Sequence, residues 1–135
     1  MKHILFFLIM ITTISLGAEV NIYPKHPRLL FKDTDLEGIK KKCHQAPYSE
    51  LYQAMKKWAD KVIEEESSKG DMTIFGFLYQ IEKEEKYFLE ARRRLLKASN
   101  HSIQFLKPTY EMKYTYDLIY NHLGKDERAL LAQKL

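Results

Sequence analysis

Apolar positions along this chain recur at helical rather than strand spacing. Leu36, Ile39 and Cys43 share one face, and Thr34 with Glu37 three residues later reads as a capping box that opens a first helix. Pro47 and Ser49 restart the chain. Leu51, Met55, Trp58 and Val62 then follow at alternating steps of four and three, with Tyr52, Ala59 and Ile63 widening the stripe. This second helix places Trp58 in the core. It runs out in a polar tail, Glu64 to Lys69, and Gly70 stands where a left-handed terminating residue is expected. Asp71 is placed to cap a third helix through Ile74, Phe75, Leu78 and Ile81, apolar on more than one side and so expected between neighbours. Glu82 to Lys86 make a charged turn. Tyr87, Phe88, Ala91, Leu95 and Ala98 form a fourth helix ending near Asn100. A fifth runs from Pro108 through Met112, Thr115, Leu118, Ile119 and His122 to a stop at Gly124. Asp126 is read as the cap of a sixth, carrying Ala129, Leu130 and Ala132. No stretch shows sustained alternation, and Val20 and Val62 are the only valines, so strands are not expected. The fold class is all-α: stacked helical hairpins over residues 33–135, preceded by an extended arm over 19–32 in which Leu29, Leu30 and Phe31 are expected to pin the chain to the body.

Residues 1–18 read differently. Met1-Lys2-His3 gives a short positive start, Ile4 to Leu16 is an apolar run of 13 residues, and Ser15 to Ala18 are suited to cleavage, the pattern of a secretory signal peptide. A spanning helix needs about 20 apolar residues, so no stable membrane anchor is expected and the chain is read as exported, periplasmic or extracellular. The 135 residues leave room for one domain at most. The charge balance, 22 basic against 18 acidic residues with the signs interleaved, is too weak to demand nucleic acid. A single cysteine, Cys43, excludes an intrachain disulfide and any paired-cysteine metal or redox motif; burial as a small hydrophobe is its expected state.

Three stretches stand in a recognisable order. His26-Pro27-Arg28-Leu29-Leu30-Phe31, followed by Asp33-Thr34-Asp35-Leu36, resembles the opening of the heparinase II/III-like polysaccharide lyases just after their signal peptide. Phe77-Leu78-Tyr79 with Glu85-Lys86-Tyr87 and Ala91 is similar to a hairpin of that family. Tyr116-Asp117-Leu118-Ile119-Tyr120 with Lys125-Asp126-Glu127-Arg128 is similar to its YDWLYD-type helix and the charged start of the helix after it. The resemblance covers nearly all of the chain after residue 18, but only the beginning of such a lyase. It implies the start of an (α/α) toroid, with further hairpins and β-sandwich domains expected beyond Leu135, where the sixth helix ends in mid-pattern. It also implies an acidic, uronate-containing polysaccharide as partner, cleaved by β-elimination. That reaction needs the uronate carboxylate neutralised before the neighbouring proton can leave. A tyrosine base, with an ordinary pKa near 10, needs a close positive charge to work at neutral pH. The resemblance places those groups in later hairpins. No catalytic residue is therefore carried onto this chain, and no cofactor or metal residue is assigned.

Other residues invite sharper readings. Asn100-His101 and Asn121-His122 look like the Asn and His pair of an elimination site, with Tyr116 or Tyr120 as acid and base, yet Asn100 and His122 fall at expected helix ends, where a structural role is favoured. His26 belongs to the matched arm and is read as a tether. Tyr110, Tyr114, Tyr116 and Tyr120 spread over several faces of one helix, so one or two could line a sugar cleft. Arg92, Arg93, Arg94 and Lys97, with Lys40, Lys41 and Lys42, could steer an acidic polymer, but interspersed acids favour a solvated face. Two functions stand against each other: the amino-terminal part of an exported lyase, inactive alone, and a small secreted helical-hairpin binding protein without catalysis.

Overall fold

The computed structural model describes residues 25–101 and 110–135, the side chain of His101 excepted. The expected signal peptide, and the arm as far as residue 24, lie outside the described residues, as does the expected start of the fifth helix at Pro108. The described chain is all-α: α1 (Leu36–Cys43), α2 (Ser49–Glu64), α3 (Met72–Glu82), α4 (Glu85–His101), α5 (Tyr110–Ile119) and α6 (Lys125–Ala132), with 3-10 turns at Asp33–Asp35 and Tyr120–His122. Among the described residues there is no strand.

Helix α3 is the centre. It packs against both α4 and α5, which also touch each other, and receives α1 and α2 on its remaining sides. Its composition explains the position: Phe75, Leu78, Tyr79 and Ile81 are buried on several faces, so no direction is left that favours water. Gly76 lets α5 come close, since a Cβ there would stand 3.2 Å from Leu118 Cβ. The start of α3 is as expected, with Asp71 Oδ1 accepting from the Thr73 N–H at 2.7 Å.

Several expectations need correction. The first turn is not fastened by Thr34 and Glu37; the Lys32 N–H donates to Asp35 Oδ2 at 3.1 Å, and a 3-10 turn precedes α1. Helix α6 begins on Gly124, whose N–H donates to Glu127 Oε2 at 3.0 Å, so Asp126 lies inside the first turn rather than capping it. The residue α6 buries is Leu131, whereas Leu130 is exposed. Helix α2 is rotated relative to the expected stripe: Tyr52, Ala59 and Val62 are buried, while Leu51 is 73% exposed and Trp58 36%. The physical reason is polar. Tyr52 donates its hydroxyl to Glu82 at the end of α3, which turns Tyr52 inward and swings Leu51 out.

Trp58 instead lies over Phe75, ring centroids 6.1 Å apart, and covers Gly70. Helix α2 ends at Glu64; Glu66, with φ 48°, is the left-handed residue that follows it, and Gly70, with φ 97°, immediately precedes the α3 cap. A Cβ at Gly70 would meet Trp58 Cη2 at 2.1 Å. Gly70→Ala is therefore expected to destabilise the protein by about 2 kcal/mol, from the strained φ and the displaced indole together. Chemical denaturation with Trp58 fluorescence as readout checks this.

Candidate functional site

The chemistry-bearing side chains collect where the arm, the end of α5 and the start of α6 meet. Asp117, 2% exposed, is the centre. Its Oδ1 lies 2.5 Å from His26 Nδ1, and its Oδ2 accepts from the backbone N–H groups of Arg28 at 2.7 Å and Leu29 at 2.8 Å. Asn121 Nδ2 donates to the His26 carbonyl at 2.8 Å. The His26 ring stacks on Tyr120 with centroids 3.9 Å apart, and the Arg128 guanidinium sits 5.1 Å from the centroid of the same Tyr120 ring. The arm is thus held by hydrogen bonds to one buried carboxylate. Leu29 and Leu30, expected to pin it, are exposed; Pro27 is buried and Phe31 packs edge-on to Phe77.

Asn121 and His122 are not brought together, and the side chain of His101 lies outside the described residues. Asn121 turns to the arm, whereas His122 Nδ1 meets the Tyr79 hydroxyl at 2.9 Å on the other side of the turn. Asn100 accepts from Lys134 at 3.2 Å. Tyr116 stands edge-on to Tyr120, and its hydroxyl donates to the Arg128 carbonyl at 3.5 Å. Burial and Tyr120 push the Tyr116 pKa up despite Arg128 and Arg28, the opposite of what a tyrosine base requires. Tyr110 and Tyr114 stack on each other, with Tyr110 largely exposed.

The basic cluster of α4 is in part the expected solvated face, with Arg93 and Lys97 exposed, but Arg94 is buried and its role is internal. Arg92 pairs with Glu127 of α6 at 2.5 Å and Arg93 with Glu90 at 2.7 Å. Arg94, 8% exposed, is a structural clamp. Its guanidinium donates to the carbonyls of Ser67, Lys69 and Gly70 at 2.7, 2.8 and 2.9 Å and to Glu90 at 2.6 Å, and lies 4.6 Å from the Phe75 ring centroid.

A second polar row fastens α2 to the α3–α4 turn. Lys56 bridges Glu82 at 3.0 Å and Glu84 at 3.1 Å; Lys86 bridges Glu84 and Asp60, each at 2.9 Å; the Tyr87 hydroxyl donates to Asp60 at 2.6 Å. Burial opposes ionisation of Glu82 and Asp60, but the hydrogen bonds from Tyr52 and Lys56, and from Tyr87 and Lys86, more than offset it, so both pKa values are lowered. Lys86 and Lys56 lower Glu84 as well. Burial and the same bonds raise the pKa values of Tyr52 and Tyr87, which stay protonated as donors. Carboxylates depressed on folding contribute stability above their unfolded values, near 4, and that contribution is lost as pH falls through the folded values. Stability is therefore expected to decline slightly from pH 7 to about 5, through His122, whose protonation burial and Lys83 oppose in the folded state, and to fall more steeply below about pH 4. Denaturant titrations across that window check it, with Lys56→Met expected to flatten the acid limb.

An apolar groove of 270 Å³ opens between α1 and α2, lined by Ile39, Cys43, Tyr48, Leu51, Tyr52 and Met55. Cys43 is buried there, and burial followed by Glu82 raises its pKa, so it is an unreactive thiol. Among the described residues no group of three or more His, Cys, Asp or Glu side chains is placed to hold a metal ion. No helix among them is long and apolar enough to cross a membrane. Sequence reasoning left Asp117, Tyr79 and Arg94 without individual roles. For Asp117 the available signal was a lone carboxylate beside the buried Leu118 and Ile119 on an otherwise apolar turn. Comparison with family models, with characterised proteins and with solved structures finds no match.

Proposed function

We propose that this chain is the amino-terminal part of an exported polysaccharide lyase of the heparinase II/III-like kind, forming the first hairpins of an (α/α) toroid and supplying scaffold rather than the reacting groups. The observation that supports the reading most is the knot at Asp117. The first and the last stretches of the resemblance, His26 to Phe31 and Tyr116 to Tyr120, lie about ninety residues apart in sequence and meet through that carboxylate. Stretches matched by accident have no reason to be structural partners. The second support is chemical. Uronate elimination needs a deprotonated tyrosine or an equivalent base, and the tyrosines here with shifted pKa values, Tyr52, Tyr79, Tyr87 and Tyr116, are all shifted upward by burial first.

The alternative, a small secreted helical-hairpin binding protein without catalysis, draws on a different observation: the apolar groove beside the exposed Leu51 and Tyr48. Activity separates the complete enzyme from both. The purified 135-residue product is expected to form no unsaturated uronate from heparin, heparan sulfate or alginate, followed by ultraviolet absorbance. The same chain expressed with the reading frame that follows it is expected to form it. Turnover by the 135-residue product, abolished by Tyr116→Phe or His122→Gln, would mean a complete site is present and that the scaffold assignment is wrong. Mass spectrometry of the exported product is expected to find an amino terminus near Ala18 or Glu19.

A further inference from the structure

One cationic group is built into the fold at some cost and, among the described residues, forms no ion pair with a carboxylate. Lys83 is the residue that ends α3, in the left-handed conformation with φ 60° and its N–H donating to the Tyr79 carbonyl at 2.9 Å. Glycine or asparagine is usual there, because a longer side chain strains the backbone. The Lys83 side chain is also aimed. Gln80, 5% exposed, donates its amide to the Leu118 carbonyl, which fixes its Oε1 toward the surface; that oxygen accepts from Lys83 Nζ at 2.9 Å. The ammonium is thereby held 5.2 Å from the centroid of the Tyr79 ring. At the other end of the same tyrosine, the hydroxyl meets His122 Nδ1 at 2.9 Å, and Phe88 flanks both rings.

Lys83 and His122 therefore share one aromatic shelf, and among the described residues neither forms an ion pair with a carboxylate. The surroundings hold both groups back from full protonation, so a bound anion would favour their charged forms. Burial, then Lys40 of α1, pulls the Lys83 pKa down, and burial, then Lys83, does the same to His122. Lys40 has its own partner in Glu37 at 3.4 Å, and Glu85 bears on Tyr79 without pairing to either cation. Donors remain on both groups. Gln80 occupies one of the three ammonium hydrogens of Lys83, and Tyr79 engages only Nδ1 of His122, leaving Nε2.

We propose that the Tyr79 shelf, with Lys83 fixed on its face by Gln80 and His122 at its hydroxyl, is an oxyanion-binding site that takes a carboxylate or sulfate, free in solution or carried on a sugar ring. An anion reached by both groups favours the charged form of each, and the part-exposed Phe88 supplies an apolar edge for a ring beside it. The site stands on its own geometry and does not rest on the lyase reading.

The test follows the His122 imidazole signal by NMR in the 135-residue chain, assigned with His122→Gln, in chloride and in sulfate at equal ionic strength. Sulfate is expected to raise the His122 midpoint by about half a pH unit or more and to saturate, because a bound anion favours the protonated ring. Glucuronate tests the sugar-borne carboxylate, and glucose is the neutral control, expected to do nothing. A larger response to glucuronate than to sulfate assigns the ring-borne anion; the reverse assigns a free one. Lys83→Gly removes the charge at a position that accepts glycine, so it is expected to keep the parent Tm or exceed it, to raise the ligand-free midpoint of His122 and to abolish the anion response. Lys83→Asn, also tolerated in this conformation, is expected to behave alike. Equal midpoints in chloride, sulfate and glucuronate, or an undiminished response in both Lys83 variants, would overturn the proposal.

Discussion

Asp117→Ala is expected to lower the stability of the protein by about 3 kcal/mol, the usual scale for stripping several hydrogen bonds from one buried carboxylate. For a domain of this size that is a fall in Tm of roughly 12 °C. The size follows from what the carboxylate does. It accepts from two successive backbone N–H groups and faces His26, so its removal strips three partners at once. Those partners are not left buried for long, because the freed arm can lift into water, and this limits the loss. Asp117→Asn separates the terms: its amide keeps one acceptor oxygen for the arm but presents N–H groups where the other oxygen stood, so it is expected to recover less than half of the loss. Hydrogen exchange at Arg28 and Leu29 is the local readout, with protection expected in the parent and lost in Asp117→Ala while the amides of α3 stay protected.

Arg94→Ala is expected to cost about 4 kcal/mol, the largest effect of any charge on α4, although Arg94 reads in the sequence as one of three consecutive arginines. The loop from Glu65 to Asp71 turns four carbonyls, those of Ser67, Ser68, Lys69 and Gly70, toward the guanidinium, which donates to all of them. Without it, those acceptors face a low-dielectric space unpaired, which carries the full desolvation penalty, while Glu90 keeps only Arg93. Arg94→Lys is expected to cost about 2 kcal/mol, since an ammonium cannot span the same fan of acceptors. Arg93→Ala, whose parent side chain is exposed and pairs only with Glu90, is expected to change stability by less than about 0.5 kcal/mol. Comparing the three by urea denaturation, with limited proteolysis at the 65–71 loop, separates a clamp from a solvated basic face.

These two positions also show where sequence reading reaches its limit. The helices, the Asp71 cap and the charged α3–α4 turn were legible because each is written in local spacing, which depends on residues three or four apart. The rotation of α2 was not. Leu51 and Tyr52 both fit an apolar stripe, and the choice between them rests on Glu82, thirty residues away. Trp58 is half covered rather than buried because its partner is a glycine in the following loop. Arg94 looked solvated because its ligands are backbone carbonyls, which carry no sequence signature. The arm was expected to be held by Leu29, Leu30 and Phe31; hydrophobicity predicted the attachment but not its chemistry, which lies in one aspartate on α5.

The same limit applies to function. The groups gathered at the end of α5 hold the arm and position rings, and the reading of the chain as the beginning of a lyase rests on the order of its motifs and on the meeting of two of them at Asp117. The most direct measurement is the nucleotide sequence immediately downstream of the Leu135 codon. A frame, or a frame restored by one lesion, that continues into further helical hairpins carrying Asn, His and Tyr is the predicted result. A stop codon followed by sequence with no trace of such hairpins would contradict the account and leave the secreted binding protein in its place.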